Sequence, residues 1–351
     1  MRAAWLGVRE SSWASSLALA PLLPLSWIYA GGAVLHRGLY ERGLLARRQL
    51  AGHVVCVGNL VVGGTAKTPL AAWLASGLHR RGRKVALASR GYGRAGREPV
   101  TVVSDGRFVR ERAESAGDEP MLLAARAAGV PVLVGRDRGV VGLRALSAFG
   151  ADVLVLDDGF QHHRLHRDLD IVCFDGRLGL GNRHLLPRGP LREPLRALRH
   201  ADAIAVVDGP LPPSDAVRIE KRAPAARRIE IRRRPGPLRP LAGGAAEPAE
   251  ALRDLEVGLL SGLANPASFR ASVQSLGARV VAERCFPDHH AYRRRDLAGL
   301  YEQAPRWVTT EKDAVKITPS WIGRAELRVL GLQLAVEDPQ GVLDWVESRL
   351  R

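Results

Sequence analysis

The stretch "HVVCVGNLVVGGTAKTP" (53–69) constrains this chain more than any other. A short apolar run leads into a glycine pair, and from Thr68 to Arg81 the apolar spacing becomes helical. Strand, glycine loop and helix start, in that order, make a phosphate cradle. Glycines let backbone N–H groups crowd an anion, and the helix N-terminus adds partial positive charge. The expected ATP-binding loop is Val61, Val62, Gly63, Gly64, Thr65, Ala66, Lys67 and Thr68, with Lys67 on the outer phosphates and the Thr68 hydroxyl on Mg2+. Pro69 suits a first helical turn, where a missing N–H costs nothing. The strict pattern G-x-x-x-x-G-K-[ST] fails twice, with Val61 at its first glycine and Ala66 at its last. Ala66 is tolerable if its backbone avoids positive φ and costs binding if it does not. Taken alone, the loop is also compatible with a glycine turn before an ordinary helix.

"ADVLVLDDGFQHH" (151–163) supplies the partner feature: an apolar run ending in Asp157 and Asp158, carboxylates that can hold a metal on nucleotide phosphates. Further continuous apolar runs at 84–89, 130–135, 170–176 and 203–209, separated by helical stretches, describe buried parallel strands. The expected fold is a P-loop, doubly wound, mostly parallel α/β sheet with a second, smaller α/β domain and an N-terminal membrane-associated helix. The expected division is 1–36 for the membrane segment, 37–222 for the nucleotide domain and 223–351 for the smaller domain closing the cleft. Residues 210–250, rich in Pro, Gly and Ala, read as connection rather than core. A second alternation follows at 257–269, 278–286, 306–317 and 327–337.

No charged residue occurs from Ser11 to Leu35, a length that could cross a hydrocarbon core. Pro21, Pro24 and Gly31-Gly32 weaken a straight span, while Trp13, Trp27 and Tyr29 favour the interface. An interfacial anchor is expected, with a true span and a soluble core helix as the alternatives. Arg37, Arg42, Arg47 and Arg48 form a basic skirt suited to an anionic membrane surface. The formal charge of +16 suits an acidic partner, although only five of 52 basic residues are lysine (67, 84, 221, 312, 316), which points to arginine bias. Aromatics make up 5% of the chain and do not interleave with the basic runs, so no nucleic-acid partner is expected. Cys56, Cys173 and Cys285 lie far apart, which suits a reducing compartment.

Several separated stretches together resemble the tetraacyldisaccharide 4'-kinases of lipid A biosynthesis. They are "VGNLVVGGTAKTPL" (57–70), "SRGYGR" (89–94), "GDEP" (117–120), "LDDGFQHHRLHRDLDI" (156–171), "LLPRGPLREP" (185–194), "FPDHHAY" (286–292) and "TTEKDAVK" (309–316). The resemblance implies an ATP- and Mg2+-dependent lipid kinase at the cytoplasmic face of the bacterial inner membrane, peripheral or monotopic. Its acceptor would be the 4'-hydroxyl of a tetraacylated glucosamine disaccharide 1-phosphate, and its product lipid IV-A of lipopolysaccharide. It further implies two α/β/α domains facing across a cleft. No obligatory protein partner is evident. Asp118 and His289 fall on the proposed catalytic pair, Lys67 and Thr68 on the loop lysine and threonine, and Asp157 and Asp158 on the paired carboxylates. From the residues alone, Asp118 could instead cap a helix, His289 could be an interface residue, and His290 is an obvious decoy. Arg90, Arg94, Asn182, Arg188 and Arg192 are candidate substrate contacts on charge and position. Glu311, Lys312 and Asp313 are candidates for nucleotide or interdomain contact. Ala66, Arg183 and Arg188 depart from the residues usual in that family. The rival class is a ParA- or MinD-like ATPase switch, but Val62 stands where such switches carry a signature lysine.

Overall fold

The computed structural model describes residues 19–96 and 98–350, so Trp13 and the first part of the uncharged N-terminal stretch lie outside the described residues. Strands β1 (His53–Asn59), β2 (Val85–Ser89), β3 (Thr101–Ser104), β4 (Val132–Val134), β5 (Val153–Asp157), β6 (Leu169–Asp175) and β7 (Ala203–Val207) come first, followed by β8 (Arg227–Pro240), β9 (Glu256–Ser261), β10 (Arg279–Cys285), β11 (Arg306–Thr310) and β12 (Glu326–Val336). All twelve join one sheet in the order β10-β9-β11-β12-β8-β7-β6-β1-β5-β2-β4-β3. Only β3–β4 and β8–β12 pair antiparallel. The mostly parallel α/β expectation is met.

The apolar runs form strands because both faces of the sheet are covered. One face packs on the helix α2 (Lys67–Arg80) and the C-terminal helix Pro339–Arg349, and the other carries a second cluster that includes Phe160, Phe174 and Ile219. β1 lies between β5 and β6, and Val57 pairs with Asp157. That register ends β1 and β5 at one level, so the glycine loop and the two aspartates share the carboxyl edge of the sheet, where open α/β sheets bind ligands. Gly58 is needed there, because a Cβ would lie 2.6 Å from Cβ of Phe160.

The stretch at 210–250 departs from its reading as connection. It contains the helix Pro213–Arg222 and β8, the strand that joins the two runs of strands. β8 pairs with β7 only through Ile231, then antiparallel with β12 as far as Pro240. Beyond Ile231 its other side meets only an isolated bridge, Leu238 with Glu247, so the missing N–H of Pro235 or Pro237 can fall where no ladder runs. The register shift between Leu330 and Leu332 brings Gly331 against Gly236, where a Cβ on Gly236 would sit 3.0 Å from a backbone carbon. Proline and glycine here mark a bulged, half-paired strand.

At the N-terminus, α1 (Leu23–Glu41) carries Pro24 in its first turn. Ser26, Arg37 and Tyr40 face inward, whereas Leu25, Trp27, Ile28 and Leu35 are exposed, Ile28 by 72%. Positions 25, 28, 32 and 35 form one stripe of a 3.6-residue helix. Among the described residues, no helix is long and apolar enough to cross a membrane.

Candidate active site

Asn59, fully buried at the end of β1, shapes the loop from beneath. Its Nδ2 donates to Val61 O (2.6 Å) and to Thr65 Oγ1 (3.0 Å). Arg233 on β8 holds the far side. Its Nη1 donates to Gly64 O (3.3 Å), while Asp208 and Asp175 accept from its Nε (2.5 Å) and Nη2 (2.8 Å). Between these anchors, a Cβ added at Gly63 or Gly64 would meet nothing within 4 Å. The loop is therefore an open cradle.

Ala66 precedes α2 at φ 56°, ψ 27°, in the left-handed region. The conditional cost of the alanine applies. Left-handed alanine costs about 1 kcal/mol relative to glycine because Cβ crowds the following carbonyl oxygen, roughly a fivefold factor. Ala66→Gly should raise stability and lower the KM for ATP by less than tenfold in steady-state kinetics. A larger gain would mean that the methyl group blocks the nucleotide.

Thr68 Oγ1 donates to Asp157 Oδ2 (2.9 Å), while the buried Oδ1 of Asp157 has no hydrogen-bond partner. An unpartnered carboxylate oxygen beside a loop hydroxyl is the half-site a magnesium ion needs, since Mg2+ takes one or two carboxylates and completes its shell with phosphates and water. Burial first, then Glu119, push the Asp157 carboxyl above its ordinary range against the pull of Lys67. A cation would relieve that crowding of negative charge. Asp158 is held differently. It sits at φ 53°, with Lys67 Nζ 3.9 Å from Oδ2 and Arg192 Nη1 2.8 and 2.9 Å from its two oxygens. Burial would raise its pKa, but Lys67 and then Arg192 outweigh that and hold it below the usual carboxylate value.

Asp118 is the first residue of α3 (Asp118–Arg126), and Gly117 occupies the N-cap with no side-chain cap bond. Its carboxylate does not cap the helix; Oδ2 lies 3.0 Å from His289 Nδ1. His289 comes from the loop after β10, at φ 62°. His290, the decoy, turns away to Asp296 (3.0 Å) and stacks on Phe286. Backbone strain of this kind persists where surrounding structure over-determines it, and at Ala66, Asp158 and His289 it coincides with the site.

The remaining candidates divide. Arg192 is in the site on Asp158. Arg90 is exposed at the carboxyl end of β2, and its charge, after burial, helps pull the Arg138 guanidinium down to about 10. Arg138 opens α4 (Arg138–Phe149) and is itself buried. Arg94 is spent on its own loop, donating to Glu98 O (2.6 Å) and Thr101 Oγ1 (3.3 Å). Asn182 organises the loop that follows β6, donating to Arg188 O (3.0 Å), while the Arg188 N–H donates to Ser26 Oγ of α1 (3.0 Å). Tyr29 OH donates to Arg192 O (2.9 Å), and the Arg37–Glu193 ion pair (2.7 Å) is buried. The loop bearing Arg192 thus touches α1 on one side and Asp158 on the other. Glu311 pairs with Arg126, Asp313 accepts from Gly262 N (3.0 Å), and Lys312 reaches His289.

The chain matches the family model described as tetraacyldisaccharide-1-P 4'-kinase over residues 18–351. It belongs to that family. A tetraacyldisaccharide 4'-kinase of Anaeromyxobacter sp. (strain Fw109-5) is 45% identical over 90% of this chain and 87% of its own length. One from Pelobacter propionicus is 39% identical over 100% and 97%. The crystal structure of LpxK from Aquifex aeolicus in complex with ATP aligns with a TM-score of 0.79 at 30% identity, covering 95% of this chain and 100% of that one. The protein is an ATP-dependent kinase of lipid A biosynthesis that uses Mg2+, and the ParA-like switch reading is not favoured. Asn59, Arg138, Arg233 and Lys316 were not singled out as functional residues from sequence. For Lys316 one signal existed, the rarity of lysine in an arginine-rich chain.

Proposed function

We propose that this carboxyl edge transfers the γ-phosphoryl group of ATP to the 4'-hydroxyl of a tetraacylated glucosamine disaccharide 1-phosphate, giving lipid IV-A. The observation that carries the reading is the Asp118–His289 pair, which joins the loop after β10 to α3, the helix packed on α2 beside the phosphate loop. A sugar hydroxyl is a weak nucleophile and needs an acceptor for its proton. In this reading Asp118 takes that proton while the new P–O bond forms. The β–γ bridge breaks, and its electron pair leaves with ADP. His289 Nδ1 orients the carboxylate. Lys67 and the amides of the loop 61–68 neutralise the charge spreading over the transferred group. Thr68 and Asp157 would hold Mg2+, which offsets phosphate charge, while Asp158 keeps Lys67 and Arg192 in place. Arg90, Arg192 and the loop with Asn182 and Arg188 border the acceptor, and Arg94 supports them indirectly through its own loop. The segment 37–222 serves as the nucleotide domain, and 223–351 brings His289 to it.

The exposed stripe of α1 lies on an anionic membrane surface, which presents the lipid at the cytoplasmic face of the inner membrane. Among the described residues nothing covers its apolar side chains, and an interfacial helix is held by such a face. The test is transfer of labelled phosphate from Mg·ATP to the disaccharide 1-phosphate in detergent, expected to yield bisphosphorylated lipid. ATP hydrolysis stimulated equally by plain liposomes or DNA would contradict it. Ile28→Glu should reduce sedimentation with anionic vesicles roughly tenfold while leaving the KM for ATP unchanged.

A further inference from the structure

The two lysines of "TTEKDAVK" both end beside the Asp118–His289 pair. Lys312 Nζ lies 3.3 Å from His289 Nε2 and 2.6 Å from Asp288 Oδ1. Lys316 Nζ lies 3.7 Å from Asp118 Oδ2, the oxygen that faces His289, and 3.1 Å from Asp313 Oδ1. The Lys316 side chain is only 7% exposed, its ammonium is buried without a hydrogen-bond partner, and it rests 5.2 Å from the Tyr292 ring centroid. These are two of the chain's five lysines, although lysine makes up only five of its 52 basic residues. In a chain that uses arginine almost everywhere, a lysine held at a site marks a slot for a compact point charge, which a planar guanidinium does not fill.

We propose that Lys312 and Lys316 are positioning residues of the phosphoryl-transfer site, Lys316 holding the Asp118 carboxylate as an aimed anion and Lys312 fixing the tautomer of His289. An ammonium group only donates. The ring nitrogen facing Lys312 therefore accepts, so Nε2 carries no proton and Nδ1–H donates to Asp118. His289 then orients the base and does not compete for the hydroxyl proton. Lys316 adds positive charge at the same oxygen, Oδ2, which leaves Oδ1 for the hydroxyl proton, and Asp313, itself tied to Gly262 N and Thr310 Oγ1, keeps the ammonium from wandering. The inference rests on Asp118 and His289 acting as proposed above.

The full-length protein in mixed micelles, with Mg·ATP and the disaccharide 1-phosphate, tests it. Lys316→Met should lower kcat roughly 100-fold with KM for ATP within about twofold of wild type. Lys316→Arg should not restore the rate, because the slot fits an ammonium. Lys312→Met should lower kcat about tenfold, and 15N spectra of histidine-labelled protein should show His289 losing its single Nδ1–H tautomer. If Lys316→Met fails to fold, Lys316→Met/Asp313→Asn removes the uncompensated charge and should fold without regaining rate. Wild-type kcat in Lys316→Arg or in the double variant, or an unchanged histidine spectrum in Lys312→Met, overturns the proposal. Loss of activity in Asp118→Asn alongside normal lysine variants would defeat only this inference. Full activity in Asp118→Asn would defeat the reading beneath it.

Discussion

Asp118→Asn should lower kcat for the glycolipid by roughly 10²- to 10⁴-fold, the range for removing a general base. The change is nearly isosteric, and the amide oxygen can still accept from His289 Nδ1, so the geometry at 3.0 Å should survive. What disappears is the capacity to take a proton. The KM for ATP should stay close to wild type, because Asp118 makes no hydrogen bond to the loop 61–68. Steady-state phosphate transfer at saturating lipid separates the two parameters. A variant that keeps wild-type kcat, with thermal stability intact, means that the proton goes elsewhere and that the Asp118–His289 contact is only architectural.

Lys67→Ala should have an effect of similar size through a different parameter. Lys67 is the cation nearest Asp158 from within the loop, at 3.9 Å, and its charge also opposes the upward push on Asp157. Its removal leaves Asp157, Asp158 and Glu119 facing an incoming polyphosphate with Arg192 as the neighbouring counter-charge. Loss of one preorganised donor to the transferred group costs about 3–4 kcal/mol, or roughly 10²- to 10³-fold, and repulsion of the nucleotide adds to it. Both kcat and affinity for ATP should fall, so that kcat/KM for ATP drops by more than roughly 10³-fold. Lys67→Arg should recover little, since a planar fork cannot sit where a point charge enters a ring of amides. If Lys67→Ala retained kcat/KM for ATP within tenfold, the phosphate would not lie in this loop.

The loop carrying Arg192 and Glu193 connects the nucleotide edge to the exterior. Its side-chain contact to Asp158 and its main-chain contact to Tyr29 of α1 lie on one residue, and the next residue anchors Arg37 in a buried ion pair. Breaking a buried pair by removing one partner costs about 3–5 kcal/mol. That cost is the penalty of an orphaned buried charge, so Arg37 and Glu193 are expected to stay together and to tie α1 to this loop.

The sequence by itself determined the strand–loop–helix at 53–80, the aspartate pair closing β5, and a mostly parallel sheet. Each follows from a local rule: continuous apolar runs need burial on both faces, and glycines before a helix start leave amides free for an anion. It also left a conditional question at Ala66, and only the backbone angle, φ 56°, decided it. Tertiary structure decided four other things. Asp118 is aimed at His289, 171 positions away, and the helix cap that sequence allowed falls to Gly117. The two aspartates divide their work, one facing Thr68 and the other Lys67 and Arg192. The proline-rich stretch is a strand because the side away from β12 carries no continuous ladder beyond Ile231 and tolerates a missing N–H. Lys316 finds Asp118 only once the short helix Glu311–Ala314 after β11 docks against α3. Periodicity and composition report how each segment meets water. Which side chains meet each other depends on strand order and register, and those are set by packing among segments that lie far apart in the chain.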